Sequence, residues 1–239
     1  MWNYLLRLSF VGTNYSGWQI QPHTPTVQGE ITRAVSTVFG EEVKVTGCCR
    51  TDSGVHARDY VANFKASRYI EEVKVLRGLN SLLPRDIGVK EVKVVGEDFN
   101  ARYSVKGKVY IYRIWNEEFR DPFLYPFSWH LPVRLDREAI EEAVRIISGR
   151  HDFSGFAKVE GERNTVIDLK VGVSFRDGLI EISFTASHFL RYMVRRITGA
   201  LTWVGQGRIK PEDLRRHLGG KTFPYTAPPQ GLTLERVLL

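Results

Sequence analysis

Hydrophobic and polar residues alternate along the first hundred residues with periods that predict strands and helices in turn. Residues 27–39 place Val27, Ile31 and Val35 on one face at helical spacing. Runs of β-branched and aromatic residues predict strands on either side. The predicted order is β-α-β-β-α-β, with a strand at 4–10, a helix at 27–39, strands at 43–49 and 60–65, a helix at 69–82 and a strand at 87–95.

The same order of periods recurs after residue 100. Its clearest part is a hairpin in which hydrophobic residues alternate with polar ones on both sides of an Asp177-Gly178 turn. We expect one face of this hairpin to be buried and the other to face water. The predicted elements are a strand at 108–115, a helix at 137–148, strands at 166–175 and 179–186, a helix at 188–204, a short helix at 211–218 and a strand at 232–237.

Two such sets in tandem predict an α+β protein made of two ferredoxin-like halves. The halves would share one mixed, largely antiparallel sheet, with the helices packed on one face and the other face left for a ligand. No low-complexity linker separates the halves. Residues 96–107 are the one segment where a boundary between them is reasonable. We therefore predict an N-terminal half at 1–100 and a C-terminal half at 101–239, packed together as one body.

Composition and charge narrow the class of protein. The chain has 239 residues, of which 43% are hydrophobic, and its formal net charge of +7 favours a polyanionic partner without specifying RNA. No apolar run approaches the roughly 18 residues that a membrane span requires. Residues 1–7 lack a basic leader followed by an apolar core, so we expect an unexported, cytoplasmic protein with no membrane partner.

The residues that commonly bind metals are poorly placed for that role. The two cysteines, Cys48 and Cys49, are adjacent, so a mutual disulfide would be strained and no spaced pair exists for zinc. We expect them to act as small buried hydrophobic residues in a strand. The six histidines show no metal-ligand spacing. We predict that the protein binds no metal.

The sequence from Arg50 to Ala57 sets one carboxylate, Asp52, in a tight turn between two strand-like runs. Asp-Ser-Gly is also ordinary hairpin chemistry, because Asp and Ser bond to nearby backbone and Gly accepts a positive φ. Spacing alone therefore leaves a structural turn and a reactive carboxylate both open.

The Arg-Thr-Asp-Ser-Gly-Val-His-Ala stretch closely resembles the signature loop of the tRNA pseudouridine synthase A family. Further segments resemble that family in the same order along nearly the whole chain. They are Gly17-Trp18-Gln19 with Gln21, Phe99 to Arg102, Tyr110 to Arg113, Gly149 to Phe153, Phe189 to Arg195, and Ala227-Pro228 with Gly231-Leu232.

The resemblance implies that the protein is an isomerase that converts uridine to pseudouridine in the anticodon stem-loop of tRNA, at positions 38, 39 or 40. It implies Asp52 as the catalytic nucleophile or base, a cleft between the two halves, no cofactor and a homodimer. The residues do not decide whether Asp52 attacks the ribose or the pyrimidine, or forms a glycal by removing a ribose proton. Two other functions stay open on the residues alone: a non-catalytic RNA-binding module and a nucleoside hydrolase.

Three residues receive substrate-binding roles from the same resemblance. Tyr110 would stack on the target base, against the alternative of a half-buried sheet tyrosine. Arg195 would pair with and orient Asp52, against the alternative of a solvated basic flank that it shares with Arg191 on a helix. Arg50 would hold a phosphate or fill the space of the extruded base, or else brace the loop.

Possible RNA contacts come from loops and strand ends that combine amides, aromatics and basic groups. For Trp18 the competing interpretation is a buried loop anchor, and for the lysines it is ordinary solvation. The candidates are Trp18, Gln19, Gln21, His56, Arg58, Arg102, Lys106 and Lys108.

Two positions depart from the family pattern. Cys49 stands where the family commonly has Gly, and Ser187 stands where it commonly has Asn. Cys49 flanks the Asp52 turn and Ser187 precedes the Arg195 segment, so local contacts there are expected to differ. Neither departure affects the identity of Asp52.

Overall fold

A computed structural model describes residues 1–159, 161 and 164–239 of the chain. These residues form two compact units. The first contains Met1–Lys106 together with Leu234–Leu239, and the second contains Gly107–Thr233. The C-terminal residues are tied to the first unit by Lys106, whose amide donates to the carbonyl of Leu238 at 2.8 Å. Among the described residues, no helix is long and apolar enough to span a membrane.

The first unit is a sheet with two helices, and its strands follow the order β4-β1-β3-β10 with β2 beside β3. Strand β1 lies between β3 and β4 and is antiparallel to both, so that Leu6 lies opposite Ala62 and Val92. Its elements are β1 (Trp2–Phe10), α1 (Val27–Phe39), β2 (Thr46–Gly47), β3 (His56–Ala66), α2 (Glu72–Leu82), β4 (Ile87–Val95) and, at the end of the chain, β10 (Leu232–Leu238).

Helix α1 illustrates how local sequence fixes an element. The Thr26 hydroxyl accepts a hydrogen bond from the Gly29 amide at the N-terminus, and Gly40 ends the helix with a φ of 67°. The apolar stripe of α1 faces the core, where the Phe39 ring packs edge-on against Tyr4 at 5.3 Å. This packing holds α1 against the sheet, next to the loop that follows β1.

The second unit repeats the arrangement, with strands in the order β5-β9-β8-β7 and β6 beside β5. The predicted hairpin is confirmed: β8 and β9 pair antiparallel up to Arg176 and Leu179, and Asp177 and Gly178 have φ values of 46° and 76°. Its elements are β5 (Gly107–Trp115), β6 (Trp129–His130), α3 (Arg137–Ile147), β7 (Gly149–Asp152), β8 (Val166–Arg176), β9 (Leu179–Ala186) and α4 (Met193–Gly205).

The α+β class agrees with the sequence prediction, and each predicted strand and helix has a counterpart in the same order. The short strands β6 and β7 are not predicted, and several element bounds differ. The strand expected over 43–49 is confined to Thr46–Gly47. Val43 and Val45 are buried without joining a ladder, and the carbonyl of Val45 accepts instead from the side-chain amide of Gln28. Val43 and Val45 are therefore buried by packing and not by strand pairing. Cys48 and Cys49 follow the short strand and lie outside it.

The helix expected over 188–204 begins only at Met193. Arg191 forms an isolated antiparallel bridge with Lys158, and Tyr192 has a left-handed φ of 65°, which stops the helix from extending backward. Arg191 and Arg195 therefore do not share a helix face. The helix expected over 211–218 is a 3-10 helix at Pro211–His217, and α2 begins three residues later than predicted.

Candidate active site

Asp52 lies half-buried in a turn between β2 and β3 of the first unit. The turn closes through a hydrogen bond from the Val55 amide to the Asp52 carbonyl at 3.2 Å, and Gly54 has a φ of 77°. The carboxylate therefore projects from a short, bonded loop between two paired strands. This is the placement that the alternation of the sequence predicted.

A segment from Gly12 to Trp18, here called the clasp, holds the turn from the other side. The Trp18 amide donates to the Thr51 carbonyl at 3.2 Å, and the Tyr15 carbonyl accepts from the Ser53 hydroxyl at 3.1 Å and from the Gly54 amide at 3.4 Å. Both neighbours of Asp52 in the chain are thus bonded to the clasp. The position of the carboxylate follows from backbone contacts on each side of it.

The clasp is itself anchored in the first unit. The Tyr15 hydroxyl donates to Asp86 at 2.6 Å, and burial together with that carboxylate raises the pKa of Tyr15 well above its usual range. The Trp18 ring stacks on Tyr60 at 4.1 Å between centroids. Neither Tyr15, Asp86 nor Tyr60 was singled out from the sequence.

Gly17 permits the clasp to approach the turn closely. Its φ is 91°, and a Cβ at this position would lie 2.5 Å from the Thr51 carbonyl oxygen. Side chains rarely adopt such a φ, and this separation is well inside van der Waals contact. A glycine is therefore required where the clasp crosses the chain next to Asp52.

The candidate RNA contacts near this turn include both buried and exposed residues. Trp18 and His56 are each 2% exposed, and Nδ1 of His56 accepts from the Gly12 amide at 3.0 Å. Their side chains pack within the first unit, which favours the anchoring interpretation of Trp18. Arg50, Gln19 and Gln21 are exposed around the same turn.

The other exposed candidates of the first unit lie farther along the chain. Arg58 forms a 3.7 Å ion pair with Glu235, and the Arg102 guanidinium lies 5.7 Å from the centroid of the Tyr103 ring. Lys106 is exposed at the end of the unit. These cations are available to a polyanion. Lys108, on β5 of the second unit, is buried, as is Tyr110 on the same strand.

Tyr110 lies on β5 in the second unit, opposite Phe184 of β9. Tyr110, Tyr112 and Ile114 are all buried on one face of the strand, as the alternation predicted. The Tyr110 ring meets Phe189 edge-on at 4.9 Å. Phe189 thus supports the ring at one edge and fixes its orientation.

Tyr112, two residues along the same face, is a structural tyrosine. Its hydroxyl donates to the Pro228 carbonyl at 2.7 Å. Burial raises the pKa of Tyr112 well above its usual range, against the opposing effect of the Arg195 charge. The two tyrosines therefore differ in their surroundings: Tyr112 is locked to the backbone, and Tyr110 is packed by a ring.

Arg195 lies half-buried in the first turn of α4. Its Nε donates to the Ala227 carbonyl at 2.8 Å, and the Ala227 amide donates back to the Arg195 carbonyl at 3.1 Å. Its guanidinium carbon also lies 5.7 Å from the centroid of the Tyr192 ring. These contacts fix the direction of the arginine side chain.

Arg196 has a comparable but separate anchor. Its Nη1 donates to the Ala157 carbonyl at 2.8 Å, and burial lowers its pKa. The Arg191 and Arg196 guanidinium carbons lie 4.9 and 5.9 Å from the Tyr192 centroid. Tyr192 is thus a ring contacted by three arginines and held at a left-handed φ, which the helical periodicity of the sequence did not reveal.

Comparisons with known proteins match the whole length of the chain. A family model described as tRNA pseudouridine synthase matches residues 8–104 and 143–238. A protein of Aquifex aeolicus named tRNA pseudouridine synthase A is 58% identical over 239 residues, covering 99% of both chains. A protein of the same name from Thermoanaerobacter sp. is 41% identical over the full length of both chains, and tRNA pseudouridine synthase A 2 of Bacillus cereus is 36% identical over 98% of both.

The Asp52 turn and the Arg195 turn lie within the residues that the family model matches, and the Tyr110 strand lies between the two matched ranges. The 58% identity to the Aquifex aeolicus protein extends over 99% of the chain. The chain belongs to the tRNA pseudouridine synthase family, a family of isomerases.

Proposed function

We propose that this protein converts uridine to pseudouridine in the anticodon stem-loop of tRNA, at one or more of positions 38, 39 and 40, with Asp52 as the reacting carboxylate. The observation that carries the proposal is the presentation of Asp52 on a turn bonded on both sides by the clasp. A reacting group must be held near its productive geometry, and backbone contacts on both neighbours provide that restraint.

The reaction breaks the bond between N1 of uracil and C1′ of the ribose and joins C5 of the same base to C1′. The proton on C5 is released to water. The reaction consumes no cofactor, because the base that leaves C1′ is the same base that returns to it as the nucleophile. The protein must supply a carboxylate, a surface that retains the detached base, and a cation that orients the carboxylate.

Asp52, Tyr110 and Arg195 are proposed for these three roles. Asp52 acts as nucleophile or base. The Tyr110 ring, supported by Phe189, stacks on the uracil and keeps it bound while it turns. Arg195, its side chain directed by the bond to Ala227, orients Asp52. Arg50 is exposed two residues before Asp52 and is proposed to contact the RNA near the extruded base.

The remaining exposed candidates are proposed as phosphate or loop contacts, and the protein is proposed to act in the cytoplasm as a homodimer. A tRNA extends over a large surface, and phosphate contacts from scattered cations position it without reading sequence. These candidates are Gln19, Gln21, Arg58, Arg102 and Lys106.

The decisive experiment measures tritium release from tRNA that carries 5-tritiated uridine. The native protein should release tritium to water, and Asp52→Ala and Asp52→Asn should abolish the release while retaining tRNA binding. Asp177→Asn is the matched control, because it removes a carboxylate from an exposed turn where Asn tolerates the left-handed φ. Unchanged release by Asp52→Asn would refute the assignment of Asp52.

The products separate isomerase from hydrolase. An isomerase returns every base to its chain, whereas a hydrolase would release free uracil. Carbodiimide-blocked reverse transcription of the product then maps the modified positions. Stops outside positions 38 to 40 would refute the proposed site while leaving the isomerase activity in place.

A further inference from the structure

Cys48 and Cys49 form a pair of adjacent thiols three to four residues before Asp52. Neither is in a disulfide, and their Sγ atoms lie 3.8 Å apart. Cys48 is buried, whereas Cys49 is partly exposed. They are the only two cysteines in the sequence, so a disulfide within the chain can join only this pair.

The backbone of the pair is linked to the Asp52 turn through the clasp. The Cys48 amide donates to the Val61 carbonyl of β3 at 2.9 Å, and the Cys49 carbonyl accepts from the Tyr60 hydroxyl. The Tyr60 ring stacks on Trp18, whose amide donates to the Thr51 carbonyl. The stacked residues Tyr60 and Trp18 therefore bond to the Cys49 carbonyl and to the residue before Asp52, respectively.

We propose that Cys48 and Cys49 are a modification site at which a small-molecule disulfide oxidises the two thiols to a disulfide between adjacent residues. The more exposed Cys49 thiolate attacks one sulfur of the reagent and releases the first thiol. The Cys48 thiolate then attacks Cys49 Sγ and releases the second. Two protein thiols and one reagent disulfide become one protein disulfide and two reagent thiols.

The bond should form under oxidising conditions and be readily reduced. Consecutive Cα atoms are about 3.8 Å apart across a trans peptide bond. Disulfides usually join Cα atoms about 4.4 to 6.8 Å apart, so a bridge between neighbours is strained. Strained disulfides are the labile, reversible ones.

Closing the bridge should disturb the Asp52 turn. The two Sγ atoms must approach from 3.8 Å to a bond length of about 2.0 Å. Because Cys48 is held by β3, we expect Cys49 and the residues after it to absorb most of the movement, which changes the Tyr60 contact and shifts Thr51. This consequence rests on the proposed function of Asp52, and it predicts lower turnover at similar affinity for tRNA.

The bond itself is tested without measuring activity. The full chain is incubated with excess glutathione disulfide, and its intact mass and thiols available to iodoacetamide are measured after unfolding. We expect a monomer lighter by two hydrogen atoms, no free thiol, and recovery of both thiols with dithiothreitol. A stable glutathione adduct, a disulfide between two chains or two unchanged thiols would overturn the proposal.

The effect on the turn is tested by tritium release from the same samples. Oxidation should slow the native protein by up to about 100-fold, the loss expected when a reacting group is displaced by about 1 Å. Cys49→Ser cannot form the bridge and should keep its rate in glutathione disulfide. An equal loss in Cys49→Ser, or a full rate in native protein that carries the bridge, would overturn the coupling.

The two proposals fail in different ways. If the reduced native protein releases no tritium, the proposed function fails, and the mass and thiol measurements still decide whether the bridge forms. If the reduced protein is active and the mass does not change, the dithiol proposal alone fails.

Discussion

At the scale of single residues, Asp52 is positioned by its neighbours. Thr51 and Ser53 bond to the clasp, and the Asp52 carbonyl closes the turn. The Asp52 side chain, the candidate reacting group, is half-buried on this bonded backbone. Similarly, Arg195 is directed by a bond to Ala227 and Tyr110 by contact with Phe189. In each case a supporting group that is distant in sequence sets the direction of the candidate side chain.

Arg195 and Arg196 offer a matched pair of substitutions. Each donates a side-chain hydrogen bond to a backbone carbonyl, so Arg195→Ala and Arg196→Ala both remove a contact of this kind. We expect Arg195→Ala to lower the single-turnover rate about 100-fold or more, as the loss of a charge-stabilising donor does. Arg196→Ala should change it much less at the same tRNA affinity. Equal losses at saturating tRNA would contradict the role of Arg195.

Two substitutions of Tyr110 distinguish a role of its ring from a role of its hydroxyl. If stacking is its role, Tyr110→Phe should keep activity. Tyr110→Ala should lose about 1 to 3 kcal/mol of interaction with the base. Steady-state tritium release at varied tRNA concentration measures this loss. Equal impairment of both variants would instead assign the role to the hydroxyl.

Tyr112→Phe is the control for the same strand. It removes the hydrogen bond to Pro228, so it should lower the free energy of unfolding by about 1 kcal/mol. We expect its effect on stability, measured by denaturant unfolding, to be larger than its effect on the catalytic rate.

At the scale of elements, the clasp and the start of α4 were the parts least visible in the sequence. The sequence predicts RNA contacts at Trp18, Gln19 and Gln21. The structure shows that Tyr15 and Trp18 are buried and that their backbone groups bond to the Asp52 turn. Leu190 is buried like Val194 and Ile197, so the apolar stripe extended the predicted helix too far. The spacing of apolar residues in a sequence does not distinguish a helix from an irregular segment that is also buried.

Gly17→Ala tests the clasp. The substitution forces a side chain to a φ of 91° and a Cβ to within 2.5 Å of the Thr51 carbonyl oxygen. Gly207→Ala is the control, because its φ of 68° is similarly unfavourable but no atom lies within 4 Å of the added Cβ.

We expect Gly207→Ala to cost about 1 to 2 kcal/mol of unfolding free energy from the left-handed backbone alone. Gly17→Ala should cost more and should also reduce tritium release. Urea unfolding and the single-turnover rate measure the two effects. Identical behaviour of the two variants would show that the clasp does not position Asp52.

At the scale of the whole molecule, the net charge indicates the class of partner that the protein binds. The net charge of +7 is moderate, and exposed cations such as Arg50, Arg102 and Lys106 are spread along the first unit. Phosphate contacts release counterions, so binding to a polyanion weakens as salt rises.

The affinity for tRNA should therefore fall steeply with ionic strength. If six to ten phosphates are contacted, affinity should drop by about 10³ to 10⁵ between 50 and 200 mM salt. Filter binding at several salt concentrations gives the slope. Arg102→Gln should reduce the magnitude of that slope by about one if Arg102 contacts a phosphate. A salt-independent affinity would contradict phosphate binding as the main source of affinity.

Local sequence patterns were enough to predict the main strands and helices in order, the hairpin at Asp177-Gly178 and the turn that contains Asp52. These features follow from periodicity and turn chemistry, which act over a few neighbouring residues. The folded chain was needed to find that Trp18 and His56 are buried, that Tyr192 stops α4, and that Leu234–Leu239 return to the first unit. Each of these depends on contacts between residues far apart in the chain, such as Trp18 with Tyr60 and Lys106 with Leu238, and such contacts leave no local pattern in the sequence.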